Sequence, residues 1–356
     1  MKPFSCAFIS ALALSAIATP VPETLRLNDR DVVTEDELST LRFFAQYAGA
    51  SYCNSEASVG SVINCTENVC PDVTAAGAKV LTTFSGEITD VQGFVSADDT
   101  NQLIVVSIKG SESVRNWIAD LSFIAVPCDL VDNCLVHVGF LTAYNEIAEA
   151  LLAGVANATA AYPNYKTIFT GHSLGGAVNT LAAGYARKQG FAVDVYSYGS
   201  PRVGNDEFVS FITDQPGLES RVTHLDDPVP RLPPIVLGYR HTSPEYWLSD
   251  GEANTTTYTA ADVKVCDGFA NVDCNGGTTG LDGDAHVYYF EHISGCGQSG
   301  ISFKKRDVTT RDVTKRNVTK DMATKEPEDI SDADLEAKLD DWVAQDRAYV
   351  STLTRK

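Results

Sequence analysis

The run Gly171-His172-Ser173-Leu174-Gly175-Gly176 constrains the fold more than any other stretch of the chain. An apolar stretch, Thr167-Ile168-Phe169-Thr170, leads into it, and an alanine-rich stretch over residues 177–187 follows. Where a strand turns at once into a helix, the tip of the turn has no room for neighbouring side chains, so glycines must flank it. Gly171 and Gly175 meet that demand, and the turn lifts the Ser173 hydroxyl clear of the sheet as a nucleophile is lifted. A five-residue pattern with two glycines also recurs in ordinary loops; the strand before it and the helix after it decide for the nucleophile.

The rest of the chain carries the matching alternation. Leu103-Ile104-Val105-Val106-Ser107-Ile108 is nearly continuous apolar sequence, which predicts a buried central strand ending at Lys109-Gly110-Ser111. A helix over 139–160, a strand at Ile168, the helix after Ser173, a strand over 193–198, a short helix from Asn205 and a strand over 221–225 then alternate. That order predicts an α/β fold, a mainly parallel central sheet covered by helices, with sites assembling in loops after strand ends. Ahead of it, Thr34-Glu35-Asp36-Glu37 has the form of a capping box, and Leu38, Leu41, Phe44, Ala45 and Ala48 follow at helical spacing.

The ends differ from this body. Lys2, the apolar run over 4–17 and the small residues Ala16-Ile17-Ala18 read as a secretory signal over 1–18, too short to anchor. Residues 19–30 read as a possible pro-segment, and no later run reaches the roughly 18 apolar residues of a membrane span. The expected body covers 31–302. Over 303–330, Arg306-Asp307-Val308-Thr309, Arg311-Asp312-Val313-Thr314 and Arg316-Asn317-Val318-Thr319 form a polar five-residue repeat that reads as a linker. Over 331–356, Ser331 is placed to cap a helix with Leu335, Leu339, Trp342, Val343, Tyr349, Val350 and Leu353 on one stripe. Docking on the body, contact with lipid and removal by cleavage at Lys305-Arg306 or Lys315-Arg316 all fit that tail. Docking or processing is favoured, since nothing in the tail supplies chemistry.

A net charge of −20 with nothing resembling a basic face argues against nucleic acid as a partner. With Cys6 in the signal, eight of nine cysteines remain, an even set that suggests disulfides in a secreted, extracellular protein. Spacing favours Cys65 with Cys70, Cys128 with Cys134 and Cys266 with Cys274, which leaves Cys53 and Cys296 to close a long loop. Asn64, Asn157, Asn254 and Asn317 each begin an N-x-S/T acceptor; unmodified surface asparagine is the competing reading at each.

A serine nucleophile needs a base to take its proton and an acid to orient that base, and in this topology the chain order is Ser, acid, His. His241, His286 and His292 follow Ser173 and any plausible acid. Asp226 and Asp227 come directly after the strand ending at Leu225 and ahead of Pro228, and neighbours in extended chain point to opposite sides, so one of the two can face the serine. Asp227, stiffened by the proline, is the choice; a solvated turn carrying two aspartates fits the spacing equally well. His286, in a polar loop leading into Val287-Tyr288-Tyr289-Phe290, is the candidate base. His137, His172, His224, His241 and His292 read as structural.

The oxyanion formed by serine attack needs donors already aimed at it. The N–H of Leu174 is one, and the Gly110-Ser111 loop is placed for a second, with the Ser111 hydroxyl as an addition. Val114, Trp117, Ile118 and Leu121 recur at helical spacing directly after it. A core helix shows the same pattern; the position beside the oxyanion loop favours a mobile lid whose apolar face turns onto lipid. Residues 280–284 lack the ligand spacing of a calcium loop and the cysteines are not arranged for zinc, so neither metal nor cofactor is expected.

Taken together, Gly110-Ser111, Val114-Arg115-Asn116-Trp117-Ile118-Ala119-Asp120-Leu121, the Ser173 motif, Ser200-Pro201-Arg202-Val203-Gly204, Asp226-Asp227-Pro228-Val229-Pro230, Ser243-Pro244-Glu245-Tyr246-Trp247 and Ala285-His286 resemble the secreted class 3 triacylglycerol lipases of filamentous fungi. The resemblance spans about 31–296. It implies an α/β-hydrolase fold and a Ser173, Asp227, His286 triad. It also implies Ser111 and Leu174 as oxyanion donors, a lid holding Val114, Arg115, Trp117, Ile118, Asp120 and Leu121, and the four cysteine pairs above. It further implies that Asp120 orients Ser111 in the open form. The tail departs from the pattern, since many members lack it.

The expectation is a monomeric serine hydrolase of acylglycerol esters at a lipid–water interface, with triacylglycerol as substrate. A mono- or diacylglycerol lipase, a phospholipase, or a soluble aryl or cell-wall esterase of the same fold are the alternatives. A non-catalytic lipid-binding protein fits poorly with candidates for all three triad roles intact.

Overall fold

The computed structural model describes residues 33–111, 114, 118, 122–296 and 330–353. The signal, the pro-segment, nearly all of the linker, and Arg115, Trp117, Asp120 and Leu121 of the expected lid lie outside the described residues. Helix α1 (Glu35–Asn54) begins at the expected capping box, with Thr34 Oγ1 accepting from the Glu37 N–H and Glu37 accepting in return from the Thr34 N–H. Its buried stripe includes Leu38, Leu41, Phe44, Ala45 and Ala48, and a short α2 (Pro71–Ala76) follows.

Strands β1 (Lys79–Ser85), β2 (Gln92–Asp98) and β3 (Leu103–Ile108) lead to a small hairpin, β4 (Ala125–Pro127) and β5 (Leu135–His137). Then come α3 (Val138–Ala161), β6 (Lys166–His172), α4 (Leu174–Lys188), β7 (Val193–Tyr198), α5 (Asp206–Asp214) and β8 (Glu219–His224). Strands β9 (Glu245–Leu248) and β10 (Val263–Cys266), a short α6 (Gly283–Val287) and the C-terminal α7 (Asp332–Leu353) complete the set.

Eight strands form one sheet in the order β1-β2-β3-β6-β7-β8-β9-β10. Pairing is parallel from β3 through β9 and antiparallel at both edges. Every residue of β3, β7 and β8 is buried, which is why β3 reads as continuous apolar sequence: helices cover both faces. One face packs α3 and α4 through Ile147, Leu151, Val178 and Leu181, and the other packs α1 through Phe44, Tyr47 and Ala48. Strand β8 carries polar residues into this core because they are paired there: Arg221 meets Glu245 at 2.9 Å and Thr223 donates to Glu245 at 2.5 Å.

Four disulfides join Cys53 to Cys296, Cys65 to Cys70, Cys128 to Cys134 and Cys266 to Cys274. Among the described residues no helix is long and apolar enough to cross a membrane. In α7 the buried stripe differs from the expected one. Leu335, Leu339 and Val343 are buried, but the next buried position is Asp346, while Leu353 is 45% exposed. A carboxylate enters that interface because it finds charged and backbone partners, described below.

Candidate active site

Strand β6 ends at His172 and α4 starts at Leu174, so Ser173 alone makes the turn, with φ 57° and ψ −127°. Such a backbone costs a non-glycine residue about 1–3 kcal/mol and persists only where its surroundings fix it. Here the Ser173 N–H donates to Tyr198 O at 2.9 Å, tying the turn to β7. The flanking glycines are required by contact: a Cβ on Gly175 would lie 2.1 Å from Ile108 O, and one on Gly171 would lie 2.5 Å from the Gly175 carbonyl.

The structure brings Ser173, His286 and Asp227 together. His286 Nε2 is 2.9 Å from Ser173 Oγ, and its Nδ1 is 2.9 Å from both Asp227 carboxylate oxygens. His286 and Asp227 are fully buried and Ser173 is 3% exposed. Asp227 lies three residues past the end of β8 and two after Leu225, whose φ of 35° turns the chain, and His286 sits in α6. An imidazole held between a hydroxyl and a buried carboxylate can take the hydroxyl proton while the carboxylate stabilises the resulting cation. Asp226 points elsewhere, toward Gly280, and burial raises its carboxyl above the ordinary aspartate range.

Several residues that sequence reasoning set aside hold this arrangement. Tyr289 donates its hydroxyl to Asp227 Oδ2 at 2.6 Å, and the Val229 N–H donates to Oδ1 at 2.9 Å. His172 Nε2 lies 2.8 Å from the carbonyl oxygen of His286, and its Nδ1 lies 2.8 Å from the Tyr52 hydroxyl. Burial holds the His172 imidazole well below the usual histidine range, so it is a neutral donor to that carbonyl. His224 Nδ1 lies 2.9 Å from the Ala285 carbonyl oxygen. Two histidines read as structural therefore fix the backbone that carries His286. Tyr289 follows α6, where the chain is already extended at Tyr288, and no local spacing in the sequence pairs it with Asp227.

Of the other histidines, His137 caps α3, His241 Nε2 meets the Pro230 carbonyl at 2.7 Å, and His292 stacks on Tyr288. Asn64, Asn157 and Asn254 are exposed, and Asn317 lies outside the described residues.

Over Ser173, the space lined by Ser111, Val114, Leu174, Pro201 and Val229 amounts to about 10 Å³, room for a single water-sized sphere. Ser111 and the first residue of α4 thus border the serine, and the free N–H groups of a helix start are suited to a developing negative charge. Val114 and Ile118, the described residues of the expected lid, are 1% and 0% exposed.

A serine at a one-residue strand-to-helix elbow, on a mainly parallel sheet flanked by helices, defines an α/β-hydrolase. The chain belongs to the class 3 lipase family: the model described as lipase (class 3) matches residues 105–237, and that of the lipase 3 N-terminal region matches 8–82. It is 47% identical to secreted mono- and diacylglycerol lipase 1 of Fusarium solani over 351 residues, 97% of this chain and 98% of that one. The solved mono- and diacylglycerol lipase of Aspergillus oryzae superposes with a TM-score of 0.70 at 40% identity, covering 74% of this chain and 99% of that one. A solved triacylglycerol lipase whose catalytic centre is described as a serine protease triad gives 0.65 at 33% identity, with 75% and 99% covered.

Proposed function

We propose that this lipase hydrolyses acylglycerol esters through Ser173, His286 and Asp227, by way of an acyl-enzyme, outside the cell. The observation that carries the reading is the unbroken line from Ser173 Oγ through His286 to Asp227, buried beneath a small apolar pocket. Ser173 Oγ attacks the ester carbonyl carbon as its proton passes to His286 Nε2. The N–H of Leu174 and the Ser111 loop hold the oxyanion. Collapse breaks the ester C–O bond, and the leaving alcohol takes the proton from His286. Water then adds to the acyl carbon with His286 again as base, which releases the fatty acid and restores Ser173.

Four disulfides and relatives named as secreted support an extracellular protein. Within the acylglycerols, the names of the Fusarium and Penicillium relatives, at 47% and 41% identity, favour mono- and diacylglycerols over triacylglycerols. Initial rates on matched emulsions of mono-, di- and tricaprin test this. Faster turnover of the partial glycerides is expected; a preference for tricaprin restores the triacylglycerol reading, and no turnover of any contradicts both.

A further inference from the structure

The pocket over Ser173 is too small for an acyl chain, so the residues that close it must move for any substrate to enter. Those residues do not stand alone. Val114 and Val229 line the pocket, and both belong to an apolar cluster with Ile118, Leu232, and Leu335 and Leu339 of α7. The Trp342 ring of α7 meets Phe123 edge-on, with centroids 5.2 Å apart. The C-terminal helix therefore shares one apolar cluster with two of the side chains that line the pocket.

Farther along, α7 is fastened to the body by polar contacts. Asp346 accepts from Arg202 Nη1 at 3.2 Å and from the N–H groups of Ile235 and Val236 at 2.9 Å each. Asp340 accepts from the Gly280 N–H at 2.9 Å, and Arg347 donates to the Gly277 carbonyl. Arg202 and Asp346 are 1% and 2% exposed. Detaching the helix would leave the buried Arg202 charge without its carboxylate partner, which is strongly unfavourable.

The solved Aspergillus lipase is matched over 99% of its length by 74% of this chain, so part of this chain lies outside that match. The tether to α7 also carries two dibasic pairs, Lys305-Arg306 and Lys315-Arg316, where a cut would turn an intramolecular contact into one between separate chains.

We infer that α7 is an inhibitory strap: seated on Val114, Ile118, Val229 and Leu232 and locked by Asp346 on Arg202, it holds the pocket over Ser173 closed until it is displaced. The inference rests on Ser173 being the nucleophile. It places control of opening in the tail, with the tail's apolar stripe competing against lipid for the same surface.

The test compares the full-length protein with full-length Leu335→Asp/Leu339→Asp, which puts carboxylates into the strap's seat and leaves the body untouched. The rate at which a soluble fluorophosphonate labels Ser173 is followed without lipid, together with hydrolysis of p-nitrophenyl butyrate below its solubility limit. Both rates should rise on the order of tenfold in the variant. A strap that only stabilises would lower Tm and leave both rates unchanged, which would overturn the inference. Should the variant not fold, the wild-type protein is cut at the dibasic pairs and freed of α7 by gel filtration. Faster labelling, slowed again by an added peptide of residues 330–353, supports the strap, and an unchanged rate contradicts it. Absence of labelling in every form would instead contradict the Ser173 reading beneath it.

Discussion

The Tyr289 hydroxyl donates to Asp227 Oδ2 at 2.6 Å, on the carboxylate that also meets His286 Nδ1. With the Val229 N–H on Oδ1, three donors converge on the carboxylate. A hydrogen bond to a charged group contributes about 1.5–3 kcal/mol. Tyr289→Phe is expected to lower kcat on the order of tenfold with KM little changed, because the phenol orients the acid without touching substrate. Steady-state kinetics on a soluble ester checks it; an unchanged kcat would remove Tyr289 from the machinery.

The two adjacent aspartates separate by single substitution. Asp227→Asn presents the wrong partner to Nδ1 and should cost on the order of 10³–10⁴-fold in kcat. Asp226→Asn should stay within about threefold, since its carboxylate faces Gly280. The reverse ranking would contradict the assignment.

Gly175 packs against the end of β3. Gly175→Ala sets a Cβ 2.1 Å from Ile108 O, and backbone cannot yield there without moving the elbow. Loss of most ester turnover is expected, with a stability loss of about 3 kcal/mol or more in urea unfolding. A variant with normal activity and stability would show that the elbow tolerates a side chain.

Glu291 gives a pH signature. Its Oε1 is buried with no hydrogen-bond partner among the described residues, and burial raises its carboxyl well above the ordinary glutamate value, opposed by Arg42 and reinforced by Asp72. The folded protein therefore holds a proton that the unfolded chain releases above about pH 4.5, so this group's contribution is whole below that point and is lost as pH rises toward the folded value. Glu291→Gln should be near neutral in acid and increasingly stabilising at higher pH, by about 1.4 kcal/mol per pH unit at most. Urea midpoints of both proteins across the pH range check this; a constant difference would contradict it.

The Cys53–Cys296 bridge spans 243 residues and ties the end of α1 to the segment after α6. Cys53→Ser/Cys296→Ser is expected to lose roughly 5 kcal/mol on the chain-entropy model, read as a lower denaturant midpoint.

What the sequence made legible was local or ordered along the chain. Ser173 is announced by glycines on both sides, β3 by its unbroken apolar run, and the start of α1 by Thr34 and Glu37 three residues apart. His286 and Asp227 followed from the chain order that a serine elbow imposes, and adjacency left Asp226 open until the β8 turn at Leu225 oriented the pair. Tyr289 and His172 stayed hidden because their partners, Asp227 and the His286 carbonyl, are 62 and 114 residues away. Asp346 was hidden for the same reason. Read alone it interrupts an apolar stripe, and only Arg202, 144 residues distant, makes a carboxylate fit that interface.

The most direct measurement is labelling of the wild-type protein with a fluorophosphonate, located by peptide mass spectrometry and paired with turnover by Ser173→Ala. A single adduct on the Ser173 peptide, activity lost in proportion to labelling, and a folded but inactive Ser173→Ala are predicted. An adduct on another residue, or full ester turnover by Ser173→Ala, would contradict the account.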